Sequence, residues 1–445
     1  MKNAIRGTIV SFKNDPFRSE EKDFLYHEED GLVVMEDGKI TDVGPAIDLL
    51  GKLDPSVEVT HYPDALIMPG FIDCHVHYPQ TEIIGAFGKQ LIDWLNKYTF
   101  VAEQKFKDYS HAEMTANLFL REALASGTTT ASVFCTVDPV SVDAFFEQSI
   151  KAGMRNIAGK VLMDRNAPPE LLDTAQSGYD QTKALIEKWH GKDRSLYSVT
   201  PRFAPTSTPE QMELAGAVWK EHPGTYLQTH ISENLNEIEW VKELFPEATG
   251  YLDVYEKFGQ IGPRSILGHG VHLTEAEFQR LSETGTALAH CPTSNLFLGS
   301  GLFNVENATR EVRPVRVGLA TDLGAGTSFS QLSTMGEAYK VAQLNGYALS
   351  AFHAFYLATR GAAKALYLED TIGSIQVGME ADIIVLDLKA SDLLEHRLKY
   401  AKNLHDILFV LMTLALPQNV KATYIAGKPA ALRDEETGKM KFLSL

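Results

Sequence analysis

Five side chains of the types that ligate divalent metal ions each follow a short apolar run of the sequence. His75 and His77 are two residues apart, so on a strand both imidazoles face the same side. His230, His269 and Asp322 end three later apolar runs. Neutral imidazoles with one carboxylate suit a borderline divalent ion such as zinc or iron, and an open coordination position leaves room for a water molecule. If the run ends converge, these residues predict a metal-dependent hydrolytic centre.

A sixth polar residue, Glu233, lies three residues after His230. A carboxyl group beside a metal site can act as the general acid and base of a hydrolytic deamination. A glutamate near a helix N-terminus is also stabilised by the helix dipole, and both interpretations can hold for Glu233. For any single histidine a buried structural role is the simpler interpretation, whereas the whole set on successive runs favours a site.

Parallel strands joined by helices would bring these run ends together. Short apolar runs alternate with amphipathic segments along the middle of the chain, which is typical of that arrangement. The C-terminal ends of the strands of a (β/α)8 barrel meet at one face, where active sites lie. The sequence therefore predicts an α/β fold with a TIM-like (β/α)8 barrel. The predicted strands are 65–77, 128–135, 156–163, 195–203, 225–232, 265–273, 286–292 and 316–324.

Capping signals predict where three of the intervening helices begin. Ser110 and Glu113 have the spacing of a capping box ahead of a helix over 110–125. Thr208, which precedes a proline, and Thr274, which precedes a glutamate by three residues, predict two further N-caps.

The two ends of the chain read as strands and turns instead. Asp37-Gly38 between alternating apolar residues predicts a hairpin. Neither end alone is long enough to enclose a core. We therefore expect a composite small β-sandwich domain from residues 1–66 and 372–445, with the catalytic barrel, residues 67–371, inserted between them.

Composition narrows the class of function. With 41 basic and 58 acidic residues the formal net charge is -17, which disfavours a nucleic-acid partner. The three cysteines make no disulfide framework, and Cys74 and Cys291 are expected to be small buried groups. No signal peptide or membrane span is recognisable, so a cytoplasmic protein without a membrane partner is expected.

Seven motifs together resemble the amidohydrolase superfamily, and within it the branch that deaminates guanine. The resemblance covers nearly the whole chain. The motifs are PGFIDCHVHYPQ (69–80), LIDWLNKYTFVAE (91–103), PRFAPT (201–206), THISEN (229–234), LGHGVHL (267–273), HCPTSN (290–295) and ATDLGAG (320–326).

The resemblance implies one divalent metal ion, with zinc the first expectation and iron the alternative. Its ligands would be His75, His77, His230 and Asp322. A single ion also agrees with the fourth predicted strand, which ends in Thr-Pro-Arg and has no lysine whose carboxylated form could bridge two metals. His290 is not expected to be a ligand, and Lys160 is expected to be structural.

The resemblance further implies catalytic and substrate-binding roles. His269 would hold the attacking water, Asp322 would accept its proton, and Glu233 would protonate a ring nitrogen and then the departing amine. The implied reaction converts guanine and water to xanthine and ammonia. The implied substrate contacts come from Gln80, Arg202, Phe203, His230, Glu233 and Asp322. Without the motif, Arg202 would be interpreted as an ion pair of a loop.

Other functions stay open on the sequence alone. One alternative is a related amidohydrolase that deaminates or dechlorinates another purine, a pyrimidine or a triazine. Another, from a different class, is a catalytically inactive scaffold with the same fold. A homodimer is expected from the resemblance. The insertion 81–103 carries Trp94, Tyr98 and Phe100, which fit either a lid over a flat base or ordinary core packing.

Overall fold

Two β-sheets organise the chain. The computed structural model describes residues 2–88, 90–414 and 416–445, so position 89 of the predicted insertion lies outside the described residues. The strands, in chain order, are β1 (Lys2–Phe12), β2 (Leu25–Glu36), β3 (Lys39–Pro45), β4 (Glu58–Pro69), β5 (Phe71–His77), β6 (Thr128–Phe134), β7 (Arg155–Gly159), β8 (Val161–Leu162), β9 (Leu196–Pro201), β10 (Tyr226–Ile231), β11 (Ser265–His269), β12 (Ala287–His290), β13 (Arg316–Leu319), β14 (Ile383–Asp387), β15 (Val420–Ile425), β16 (Lys428–Arg433) and β17 (Met440–Phe442).

Helices occupy most of the connections between the strands. None of the helices in the described ranges combines the length and the apolar character that a membrane crossing needs. The helices are α1 (Glu21–Phe24), α2 (Ala46–Leu49), α3 (Leu91–Trp94), α4 (Phe100–Glu103), α5 (Tyr109–Ala125), α6 (Pro139–Ala152), α7 (Ala175–Trp189), α8 (Pro209–Glu221), α9 (Leu235–Leu244), α10 (Tyr251–Lys257), α11 (Glu275–Thr284), α12 (Pro292–Phe297), α13 (Val305–Ala308), α14 (Gln331–Leu344), α15 (Ala351–Leu357), α16 (Arg360–Ala365), α17 (Asp392–Leu398) and α18 (Leu404–Leu414).

The first sheet is a parallel barrel, as predicted. Its strands follow the order β5-β6-β7-β9-β10-β11-β12-β13, and the short β8 pairs with β9. Each of the eight predicted runs contributes a strand to it. Strand β6 is buried along its whole length, as expected for a strand covered on both faces.

The first predicted run, 65–77, is divided between the two sheets. Strand β4 ends at Pro69 and pairs with β14, whereas β5 starts at Phe71 and pairs with β6. The chain changes sheet at Gly70, whose N–H donates to the carbonyl of Asp382 at 2.9 Å. A continuous apolar run does not reveal such a change, because both halves are buried.

The second sheet is drawn from both ends of the chain, which confirms the composite β-unit. Its order is β17-β16-β15-β14-β4-β1-β2-β3, with β1 and β4 parallel and the other neighbours antiparallel. The predicted hairpin joins β2 to β3. Both turn residues have positive φ, 49° at Asp37 and 84° at Gly38, which is the backbone of a type I′ turn.

The predicted helix starts are confirmed in two cases and wrong in one. Thr208 caps α8 and Thr274 caps α11, the latter in a full capping box. Ser110 is not the cap of α5. The helix begins at Tyr109, and the Asp108 carboxylate accepts the Ser110 N–H at 2.9 Å, so a stronger acceptor two residues earlier takes the capping position.

The barrel closes through side-chain and backbone bonds between its first and last strands. The Asp322 N–H donates to the carbonyl of His75 at 3.0 Å. The buried Asp73 carboxylate accepts from the Thr321 N–H at 3.0 Å, from the Thr321 hydroxyl, and from the His75 N–H at 3.3 Å. Asp73 therefore fixes the chain after β13 against the end of β5.

Replacing Asp73 by alanine should lower the free energy of unfolding by about 3 kcal/mol, because buried donors on Thr321 and His75 lose their acceptor. Urea titration of the purified variant would measure this. The control is Asp48→Ala on the exposed face of α2, which should change the value by less than about 0.5 kcal/mol. Equal stability of the two variants would contradict this account of barrel closure.

Candidate active site

The structure brings the four predicted metal ligands and His269, the residue predicted to hold the attacking water, to one mouth of the barrel. His75 and His77 end β5, His230 lies in β10, His269 ends β11, and Asp322 follows β13. The Nε2 atoms of His77 and His230 are 3.1 Å apart. Asp322 Oδ1 lies 3.5 Å from Nε2 of both His75 and His77. One nitrogen from each of His75, His230 and His269 also lies within 4.8 Å of the others.

Hydrogen bonds outside the cluster fix how two of these imidazoles point. His230 Nδ1 lies 2.6 Å from the Arg202 carbonyl, which can only accept, so Nδ1 carries the proton and Nε2 presents its lone pair to the cluster. His269 Nδ1 lies 2.9 Å from Asn295 Oδ1, which leaves Nε2 pointing at the carboxylates of Glu233 and Asp322.

The cluster fits a divalent cation. His75 is fully buried, and neither of its ring nitrogens has a hydrogen-bond partner among the described residues. Buried polar atoms without partners are costly, and a cation would satisfy them. Burial lowers the pKa of His75, and it lowers the pKa values of His77 and His230 well below their usual range. These imidazoles are therefore neutral, the form that ligates metals.

Two neighbouring groups are poorer ligands. Cys291 lies within reach of His269 and Asp322, but burial raises the pKa of its thiol well above the usual range and keeps it protonated. The Cys291 side chain is fully buried, as predicted. His290 stacks on Phe303 with ring centroids 4.6 Å apart, and it is in none of the metal-sized groups found among the described residues.

Strained backbone surrounds the cluster. Ser232, His269 and Asp322 all have left-handed φ, at 48°, 73° and 47°. This conformation costs on the order of 1–2 kcal/mol for a residue with a Cβ, and such strain concentrates at functional sites. Here it turns the strand ends so that the His269 and Asp322 side chains enter the barrel mouth.

Glu233 lies beside the cluster, but it is not in a helix. Its Oε1 accepts from the Ser300 hydroxyl at 3.1 Å, and its Oε2 is 3.4 Å from His269 Nε2. Burial raises the pKa of Glu233 to about 7, and the attraction of His269 only partly offsets this effect. The two carboxylates Glu233 and Asp322 together outweigh burial at His269 and raise its pKa.

Glu237 positions the backbone of Glu233. Its Oε2 accepts the N–H groups of Glu233 and Asn234 at 2.9 and 3.1 Å, and its Oε1 accepts from the Tyr251 hydroxyl at 2.7 Å. Asn234 and Glu237 form the capping box of α9. The sequence interpretation missed Glu237, although its three-residue spacing from Asn234 is the signal of a capping box.

A cavity at the barrel mouth adjoins the cluster. His230, Glu233, His269 and Asp322 line one part of it. The rest of the lining comes from the end of β5, from the other predicted substrate contacts, from the insertion and from two later loops. These residues are His77, Gln80, Leu91, Trp94, Leu95, Arg202, Phe203, Leu298 and Ala325.

Gln80 is fixed at the cavity wall by its neighbours. It lies in the short 3₁₀ helix Tyr78–Ile83, and its buried Oε1 has no hydrogen-bond partner among the described residues. Gly324 has φ of 120°, and a Cβ there would come within 2.1 Å of Gln80 Oε1. Glycine is therefore needed at position 324 for the amide to keep its place.

Arg202 is both a cavity residue and half of a buried ion pair. It follows β9, and its Nη1 donates to both oxygens of Glu103, at 2.9 and 2.7 Å. Phe203 is buried beside it, with its ring edge-on to His230 at 6.4 Å. The sequence interpretation missed Glu103, because nothing in the spacing links it to a residue 99 positions away.

The aromatic residues of the insertion have different surroundings. Trp94 is buried and lines the cavity, and its Nε1 donates to the Ala86 carbonyl at 3.2 Å. Phe100 is buried behind Arg202, and Tyr98 is only half-buried. The insertion thus covers the cavity with some side chains and packs others into the core.

Lys160 has the structural role expected for it. It is fully buried, forms an ion pair with Asp173, and donates to the Val161 carbonyl at 3.2 Å. Burial lowers its pKa, and Asp173 opposes that effect. Its amine is engaged outside the imidazole cluster.

Comparison with known proteins agrees with this site. Guanine deaminase of Escherichia coli (strain K12) is 49% identical over 426 residues, which cover 96% of this chain and 97% of that protein. A solved structure of the E. coli enzyme superposes with a TM-score of 0.95 at 48% identity, covering 97% of this chain and all of that one.

Two more distant structures share the fold. Guanine deaminase from C. acetobutylicum, solved with guanine bound in its active site, matches with a TM-score of 0.87 and 28% identity, over 96% of this chain and all of that one. An adenosine deaminase from Xanthomonas campestris, solved with bound zinc, matches with a TM-score of 0.83 and 25% identity, over 96% and 92% of the two chains.

A family model covers most of the chain as well. It matches residues 66–430, a range that contains every residue of the imidazole cluster and of the cavity. This match and the similarity to guanine deaminases over nearly the full length together establish the family. The chain belongs to the amidohydrolase family.

Proposed function

We propose that this protein catalyses the hydrolytic deamination of guanine to xanthine and ammonia. One observation carries the proposal: a single cavity holds a buried hydrolytic cluster together with Gln80 and Arg202, two side chains suited to reading the edge of a base. The 49% identity to the E. coli guanine deaminase and the guanine-bound C. acetobutylicum structure support the choice of substrate.

The proposal includes one divalent metal ion held by His75, His77, His230 and Asp322. Such an ion, when bound, polarises a water molecule and lowers its pKa toward ~7. Zinc is our assignment, because the donor set suits it and the related X. campestris enzyme was solved with bound zinc. Iron has the same ligand preferences and is the alternative that metal analysis distinguishes.

Three side chains move protons in this scheme. His75 and His269 outweigh burial and hold the pKa of Asp322 below its usual range, so Asp322 is ionised and accepts the proton of the attacking water. His269, whose raised pKa favours a ring protonated on both nitrogens, donates from Nδ1 to Asn295 and from Nε2 to the water, which keeps that water in place. Glu233, with a pKa of about 7, gives its proton to a ring nitrogen, then takes the proton of the new hydroxyl group on the attacked carbon and passes it to the amine, which leaves as ammonia. The proton held by Asp322 then returns Glu233 to its acid form.

Specificity follows from donors fixed at one side of the cavity. The Arg202 guanidinium donates to the carbonyl oxygen of guanine, and Gln80 pairs with the neighbouring edge of the base. Adenine carries an amine where guanine has this oxygen, so a donor would face a donor. Phe203 packs against the plane or edge of the base next to His230.

The same features disfavour the alternatives. A triazine or a pyrimidine offers no purine carbonyl at the position that Arg202 reads. An inactive scaffold would have no need to keep buried, neutral imidazoles and an ionised Asp322 around a cavity. Direct assays on several substrates separate these possibilities.

The proposal also covers the organisation of the protein. Residues 1–66 and 372–445 are the small β-domain and 67–371 the catalytic barrel. The change of sheet at Gly70, between β4 and β5, lies close to the first of these boundaries. A homodimer working in the cytoplasm is proposed from kinship to guanine deaminases. The net charge of -17 disfavours a nucleic-acid partner.

The first test is ammonia release by the purified, zinc-loaded protein with guanine, adenine and cytosine. Release from guanine alone, lost on chelation and restored by zinc, is the expected result. Metal analysis should give one ion per chain. Release from another base instead would show that this base, and not guanine, is the substrate. A protein that binds no metal after reconstitution would overturn the proposal.

Glu233→Gln should keep its metal but lose about 100-fold or more in kcat, because the amide cannot transfer protons. The control is Glu187→Gln on the exposed face of α7, which should retain wild-type kcat. Steady-state rates with guanine, beside metal analysis of both variants, make the comparison. A Glu233→Gln enzyme with normal kcat would remove Glu233 from the mechanism.

The raised pKa of Glu233 also predicts that the stability of the protein depends on pH, and the Glu233→Gln variant tests this. Because the pKa of Glu233 is about 7 in the folded protein and near 4.5 in the unfolded chain, the folded state binds more protons, and stability falls as pH rises between those values. The free energies of unfolding of Glu233→Gln and of the wild type are compared in the presence of a chelator. The value of the variant minus that of the wild type should rise by about 2 kcal/mol from pH 5 to pH 8. Urea unfolding at both pH values tests it; a difference that is constant with pH contradicts it.

A further inference from the structure

The buried ion pair between Glu103 and Arg202 joins the insertion to the barrel. We propose that Glu103 is a positioning residue that sets base specificity by holding the Arg202 guanidinium in the one orientation that reads the substrate. The inference rests on the proposed function, since it assigns the arginine to the base.

The geometry of the pair leaves part of the guanidinium for a ligand. Both Glu103 oxygens contact the same nitrogen, Nη1, at 2.9 and 2.7 Å. Because the contact is made through one nitrogen, it holds one corner of the guanidinium and leaves the other two nitrogens without a contact to Glu103. Arg202 lines the cavity, so its remaining N–H groups are the ones that can face the base.

The insertion supplies a second contact that holds the same group. The Phe100 ring lies 5.4 Å from the centre of the Arg202 guanidinium, in cation–π contact. Phe100 and Glu103 are the first and last residues of α4. One turn of helix therefore holds the arginine from two sides, while Leu91, Trp94 and Leu95 of the same insertion line the cavity.

Charge explains why an acid is needed here. Arg202 and Glu103 are 3% and 1% exposed, and a buried guanidinium without a counter-ion is unfavourable. Guanine is neutral and brings no charge to compensate. Glu103 supplies the counter-ion that the buried guanidinium needs.

The test is a double-mutant cycle on Michaelis constants with guanine, using Glu103→Gln, Arg202→Gln and both together. Glu103→Gln should raise KM about tenfold or more and change kcat less, because a charge-assisted contact that aims the donor is lost. In the Arg202→Gln background the same change should alter KM less than about twofold. Glu103→Asp, which keeps the charge on a shorter side chain, should give an intermediate KM.

A matched control comes from the same insertion. Glu82 pairs with Lys105 and His111 outside the cavity, and Glu82→Gln should leave KM unchanged. If Glu103→Gln raises KM equally in both backgrounds, or not at all, the positioning role is overturned. If Glu103→Gln fails to fold, Glu103→Asp alone decides: a wild-type KM overturns the role and a raised KM supports it.

Failure of the proposed function gives a different pattern. In that case the wild-type, zinc-loaded protein does not deaminate guanine, yet the ion pair can still be measured by urea unfolding of the four proteins of the cycle. Non-additive unfolding energies would then support the pair while removing its assignment to guanine. Additive unfolding energies would overturn the pair itself.

Discussion

The hydrogen bond between the Asp322 N–H and the His75 carbonyl is the contact on which the site depends, because it joins the last strand of the barrel to the first. His75 and Asp322 are far apart in sequence, and only closure of the barrel brings their side chains to 3.5 Å. The Asp73 carboxylate holds the same junction through Thr321. A barrel left open between these two strands would keep its strands but would separate His75 from Asp322.

Burial at the barrel mouth has three consequences that act together. It keeps the imidazoles of His77 and His230 neutral, and it raises the pKa of Glu233 into the range where a carboxyl group exchanges protons at neutral pH. It also makes a lone Arg202 guanidinium unfavourable, and the buried Glu103 carboxylate is its counter-ion. The metal binding, proton transfer and substrate recognition proposed for this site therefore share one physical cause, which is the exclusion of water from the barrel mouth.

Features of this arrangement that depend on residues close together in the sequence can be predicted from it. The eight apolar runs, the His75-x-His77 pair and the caps Thr208 and Thr274 depend on neighbours in the chain, and the structure has them as expected. The cap at Ser110 was wrong because Asp108, a stronger acceptor, lies just outside the pattern considered. The run 65–77 contains a change of sheet that alternation of polarity does not record.

Contacts between residues far apart in the sequence cannot be predicted from such local patterns. The pairing of Glu103 with Arg202 joins a one-turn helix to a strand end, and no periodicity connects them. The role of Asn295 at His269 lay inside a motif, HCPTSN, whose residues gave no hint of orientation. Glu237 was within reach of sequence reasoning, because Asn234-x-x-Glu237 is a capping signal that was present and not used.

The groups of the site lie in two parts of the chain that are held in place in different ways. The hydrolytic groups lie at strand ends, where backbone pairing and closure fix them, and a small shift there would disturb every ligand at once. The groups that cover the cavity and contact Arg202 lie on the insertion, which reaches the barrel through side chains. The base recognition that we propose is then a joint property, because the barrel holds the arginine backbone and the insertion holds its guanidinium.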